Sequence, residues 1–169
     1  MDLIEFASGL SARVNGTALA AALQQQTWLV PTSQSIHIVA LSILTAATLT
    51  ICLRVLGVQR RSGRSVLVLI KTLMPWIYGS LCVLLLTGVA QILLEPMRQF
   101  SSPAFWLKML LILVVLTYTI WFARTVRAHA AEWNQSAGSS VAAKFFAVSS
   151  MTIWIAIIFC GRFIAYTHK

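Results

Sequence analysis

Four long runs of apolar residues divide the chain, and its charged residues gather in the gaps between them, near their ends and at the termini. The first run, Ile36 to Leu53, holds no formal charge, and its one strongly polar side chain is His37. A bilayer core is crossed by about 20 helical residues rising 1.5 Å each. The pattern therefore predicts spans over about 33–56, 67–94, 103–124 and 142–166. Thr32 or Ser33 is placed to cap the first. Pro75 is expected to kink the second, and Gly79, Ser80 and Gly88 give it small faces for close helix contact. Glu95-Pro96 ends that span. After a loop of about ten residues, Pro103 suits the first turn of the third.

The first 30 residues read differently. Asp2, Glu5, Arg13, Asn15 and Gln24 to Gln26 interrupt the apolar positions too often for a span. Leu3, Ile4, Phe6 and Leu10 recur at near-helical spacing, as do Leu19, Ala22 and Leu23, which predicts short amphipathic helices at the membrane interface. Trp28 reads as an aromatic anchor, and Pro31 as a turn into the first span. The expected architecture is an all-α membrane protein: an interfacial segment over 1–30, then a four-transmembrane-helix bundle over 31–169.

Composition supports that reading. Of 169 residues, 59% are hydrophobic and 10% charged, against about 25% charged in soluble domains. A globule of this size would not hide so much apolar surface. The net charge of +9 would suggest nucleic acid in a soluble protein, but no basic-aromatic module accompanies it, so the expectation is no nucleic acid. Instead the basic residues set topology. The first and third connections hold Arg54, Arg60, Arg61, Arg64, Lys71, Arg124, Arg127 and Lys144; the opposite side holds Arg13, Arg98, Lys108, Arg162 and Lys169. The excess places both basic loops in the cytoplasm and both termini outside, in the periplasm of a bacterial inner-membrane protein. No cleavable signal peptide is read at the start. Cys52, Cys82 and Cys160 lack CxxC spacing and read as small buried hydrophobes.

This topology brings polar groups to one face. His37 enters from the first span, Glu95 from the second, Lys108 from the third, and Arg162, Tyr166 and His168 from the fourth. Ionisable groups within spans mark functional sites by default, though near the ends Lys and Arg also snorkel to headgroups. Glu95 is a candidate partner for Lys108 or Arg162. The site expected from these residues is a cofactor site of His37, Lys108, Arg162, Tyr166 and His168, with His37 the candidate metal ligand. Imidazole ligates haem iron in helix bundles, and Lys or Arg holds propionates or a quinone carbonyl. A bis-His haem would need His168, since His129 is expected at the other face. Copper handling usually draws on Met, Cys or His clusters, and no HxxxH or MxxxM occurs. Transport would need a polar path, for which the middle of the bundle offers Thr45, Thr48, Ser80, Thr87, Thr117 and Ser149. Catalytic motifs are missing: no phosphate loop, no Ser-His-Asp set, and no facing carboxylates, since Glu95 and Glu132 fall on opposite sides.

Several short motifs carry a resemblance. They are I-H-I-V-A-L from Ile36, L-R-V-L-G from Leu53, L-M-P-W-I-Y-G from Leu73, Thr87-Gly88, S-P-A-F-W-L-K from Ser102 and G-R-F-I-A-Y from Gly161. Together they resemble a family of small bacterial four-span membrane proteins grouped only as a domain of unknown function. More loosely, the early His and the Lys entering the third span are similar to copper-resistance membrane proteins of the CopD type and to membrane haem proteins that oxidise protoporphyrinogen. That likeness implies a haem ligand at His37 and a supporting role for Lys108. Cys52 stands where it implies an acidic residue, and Phe122 or a neighbour where it implies a His. The expected function is a haem b- or quinone-associated electron-transfer or membrane-anchor subunit, without catalysis of its own. It would sit in a larger membrane or periplasmic redox complex or a homo-oligomer. The alternative is copper handling or small-solute transport.

Overall fold

The structure is a computed structural model that describes residues 3–57, 66–128, 141–164 and 166. Its elements are α1 (Leu3–Asn15), α2 (Ala18–Gln24), α3 (Leu29–Val55), α4 (Val66–Leu94), α5 (Pro96–Phe100), α6 (Pro103–Ala128) and α7 (Val141–Ile164), with no strand among the described residues. α3, α4, α6 and α7 each contain a stretch of mean hydropathy between 1.8 and 2.2, long enough to cross a bilayer. Their outward faces are apolar: Leu86 is 67% exposed and Leu113 64%. Such surfaces suit acyl chains and would be a liability in water.

Three local expectations change. Pro31 does not turn the chain. α3 starts at Leu29, ahead of the expected 33, and takes Pro31 into its first turn, where a missing N–H costs no hydrogen bond. Neither Thr32 nor Ser33 caps it: the N-cap is Trp28, without a side-chain bond, and the Thr32 hydroxyl donates back to the Trp28 carbonyl at 2.8 Å. The segment after Glu95 is not a plain loop, because α5 forms a helical turn there with Pro96 at its start. α4 is helical through Pro75. Gly57 closes α3 with φ 86°, the left-handed cap that glycine adopts without strain.

α3 and α7 form the central pair, with α4 packed on α3 and α6 on α7. Their shared core includes Leu44 and Cys52 of α3, Val115 of α6 and Ile157 of α7, all nearly inaccessible. In lipid, such contacts hold helices by close packing and hydrogen bonds rather than by exclusion of water.

One end of the bundle is capped. Ala7 of α1, Phe100 of α5, Phe105 of α6 and Ile164 of α7 form a second apolar cluster, so α1 and the end of α7 lie at the same end. Phe100, Phe105 and Trp106 pack ring against ring, with Phe6 tilted on Trp106. The Trp106 indole N–H donates to the Phe100 carbonyl at 3.0 Å. α2 is tied down by Gln24, whose amide donates to Leu93 O at 2.8 Å. That carbonyl lies in the last turn of α4 and has no partner within its own helix. The N-terminal helices therefore supply polar groups to the ends of the spanning helices.

Candidate functional site at the capped end

Ser33, His37 and Ala40 recur on the side of α3 that faces α4, as residues three and four apart do. The Ser33 hydroxyl donates to Thr87 O at 3.4 Å, and His37 Nδ1 lies 2.7 Å from Thr87 Oγ1. Thr87 has one hydroxyl proton and two acceptors within its reach, the Val83 carbonyl and His37 Nδ1, each at 2.7 Å. With the proton on Val83 O, Thr87 Oγ1 accepts from His37 Nδ1–H, and the neutral ring carries its lone pair on Nε2. Gly88 leaves room beside the imidazole: a Cβ there would stand 4.0 Å from His37 Cε1.

His37 lines a cavity of about 560 Å³ between α3, α6 and α7, roofed by α5. Lys108 enters from α6 and Arg162 from α7. Lys108 Nζ lies beside Gly161, where a Cβ would make ordinary contact at 3.7 Å. The structure thus brings His37, Lys108 and Arg162 to one space. Tyr166 stands at its rim, where its hydroxyl accepts from an Arg162 guanidinium N–H at 2.9 Å and its ring lies 5.2 Å from that guanidinium. His168 and His129 lie outside the described residues, as do Arg60, Arg61, Arg64 and Glu132.

Glu95 partners neither Lys108 nor Arg162. Its carboxylate accepts from Arg98 at 2.7 Å, an i,i+3 pair formed because Glu95 is the N-cap of α5 and Arg98 lies one turn on. Among the described residues Lys108 forms no ion pair, and no carboxylate lines the cavity. The space is therefore electropositive, with a donor at Lys108 and an imidazole at His37.

Sequence reasoning missed Thr87 as the orienting partner of His37, and missed Gln34, Gln91 and Gln99 in the lining. Gln34 was within reach, since it lies one turn before His37. Gln99 was not, because it depends on the helical turn of α5. Cys52 and Cys160 are buried as expected, whereas Cys82 is exposed on the outward side of α4. Among the described residues no three of His, Cys, Asp and Glu come together.

Four apolar spanning helices joined by short connections and capped by amphipathic ones define a multi-pass α-helical membrane protein. Within that class, the chain belongs to DUF6644, a family of unknown function, whose family model matches residues 21–167. No curated protein and no solved structure matches the chain. The looser likeness to CopD-type and haem proteins finds no support in these comparisons.

Proposed function

We propose that the capped-end cavity binds an isoprenoid quinone, and that the protein is the quinone-holding membrane subunit of an electron-transfer assembly. The observation that carries this reading is that His37, tethered through Nδ1, and Lys108, which forms no ion pair among the described residues, line one lipid-level cavity. A quinol hydroxyl donates to Nε2, and a quinone carbonyl accepts from Nζ. The shape agrees. On α3 the lining runs from Gln34 to Leu49, a rise of roughly 22 Å. A space of about 560 Å³ extended over that length suits an elongated ligand, with a polar head at His37 and an isoprenoid tail along α3.

A photoreactive azidoquinone tests this on protein purified into nanodiscs. Labelling is expected in peptides covering Leu41–Leu49 or Ile157–Arg162, competed by unmodified quinone. Replacing His37 by Ala or Lys108 by Met should weaken competition about tenfold, the factor that about 1.4 kcal/mol supplies, which is the scale of one hydrogen bond to a charged group. Labelling that is absent, or unchanged in both variants, refutes the reading.

One observation favours a second reading, haem b. Tethering of Nδ1 by Thr87 is the arrangement that orients metal-ligating imidazoles, and Lys108 and Arg162 would hold propionates. Among the described residues the cavity lining offers no second axial His or Met, which weighs against it. A Soret band in the purified protein, lost in His37→Ala, would replace the quinone with haem.

A further inference from the structure

A second, smaller cavity lies in the half of the bundle opposite the capped end. It has a volume of about 30 Å³ and is bordered by Thr48 and Cys52 of α3, Met74 of α4, Thr119 of α6 and Ser150 of α7. Ser150 is fully buried, and its hydroxyl has no hydrogen-bond partner. The two threonines are different. Thr48 donates to Leu44 O at 2.9 Å and Thr119 to Val115 O at 2.7 Å, so each spends its proton and keeps lone pairs to accept. One donor and two acceptors thus border the same space, from three helices. A water needs about 10–15 Å³ of such volume and two to four polar partners. In a bilayer the donor has no solvent to turn to, and an unsatisfied polar group there costs several kcal/mol.

The same face of α7 holds a second unpaired donor. Trp154 lies one helical turn from Ser150 toward the capped end; it is buried, and its indole N–H has no partner. On α3 the polar positions repeat the step: Thr48 borders the small cavity and Thr45 the large one. α3 and α7 run antiparallel through the core, so these pairs descend together.

We propose that the small cavity is a hydration site, and that it forms the deep end of a wet path leading from the capped-end cavity past Trp154. Water accepts from Ser150 and donates to Thr48 and Thr119, bridging α3, α6 and α7. The path gives protons a route between the large cavity and the bundle interior. It does not depend on what the large cavity binds.

X-ray radiolysis generates hydroxyl radicals from water in place and oxidises side chains beside it. Applied to the nanodisc-embedded protein, with oxidation read by mass spectrometry, it carries internal references. Met97 is exposed at the capped end and Met109 is exposed on the apolar surface of α6; they mark the wet and dry rates. Met74 is expected to oxidise near the Met97 rate despite its partial burial, and Trp154 to oxidise as well. Ser150→Val fills the space and should slow Met74 oxidation about tenfold, because the site then lacks the volume a water needs. Thr119→Val removes one acceptor at nearly constant shape and should slow it too, which keeps the test open if Ser150→Val does not fold. Met74 oxidising at the Met109 rate in the wild type overturns the proposal, as does an unchanged rate in every folded variant.

Discussion

Thr87→Val removes the hydroxyl that orients His37 and leaves the shape of the side chain nearly unchanged. The single variant loses two interactions, the acceptor for His37 Nδ1–H at 2.7 Å and the bond to Val83 O at 2.7 Å. It also leaves a ring N–H unpaired between α3 and α4, which costs about 1–3 kcal/mol. That total does not isolate the interhelical bond, so the measurement is a double-mutant cycle with His37→Leu. The local bond to Val83 is lost in both backgrounds and cancels. Interhelical hydrogen bonds in membrane proteins average about 0.6 kcal/mol and reach about 1.7. This one is short and partly buried, so the expected coupling lies in the upper half of that range. The assay is unfolding in mixed micelles of increasing denaturing detergent, followed by helical circular dichroism. Ser33→Ala serves as reference, because its bond to the Thr87 carbonyl is long at 3.4 Å and its coupling to His37 should fall below about 0.5 kcal/mol, the noise between independent sites. A His37–Thr87 coupling no larger than that of the reference would refute the bond.

Three further outcomes are expected. Gly161→Ala should fold and keep the cavity, since its Cβ makes ordinary contact with Lys108 Nζ at 3.7 Å; Gly161→Leu should fold but lose azidoquinone labelling, because the longer side chain enters the cavity. Gly57→Ala should destabilise by about 1 kcal/mol in the same detergent titration, because φ 86° is a conformation in which a Cβ is strained. Glu95→Gln should shift stability by less than about 1 kcal/mol, since its pair with Arg98 is partly solvated, with each side chain 28% exposed. A larger loss would show that the carboxylate acts beyond that pair.

The spans were legible because lipid imposes a simple rule: some 20 apolar residues without charge make a helix, whatever surrounds them. Their ends were less so. The expectation that Pro31 turns the chain weighed the residue type and not its place in the helix; in a first turn the absent N–H goes unnoticed. α5 was missed for a related reason, since a helix of five residues has no periodicity to read and is held by its neighbours, Phe100 against Phe105 and Trp106. The meeting of His37, Lys108 and Arg162 could be anticipated from alternating helix direction alone. The pairing of Glu95 could not, because it turns on a cap geometry that sits between two helices.

That pairing matters more than its small energy implies. The sequence has only four acidic residues; of the described ones, Glu5 sits on α1, and Glu95 ends α4 beside the cavity. Had it reached Lys108, the ammonium would be neutralised and the cavity would be a closed ion pair, a way of settling charge at a helix end with nothing left to bind. Because α5 turns Arg98 onto Glu95, Lys108 keeps its donors and lines the same slot as His37. Neutralising residues at the wall of that slot provides the sharpest contrast. Thr45→Asp places a carboxylate along the lining, below the imidazole. If the positive field is what draws the quinone oxygens, this variant should fold, keep its helical content and lose labelling at Ile157–Arg162, while Thr45→Val keeps it. Equal labelling in the two variants would show that the slot holds its ligand by shape alone and that the charge of Lys108 has no part in it.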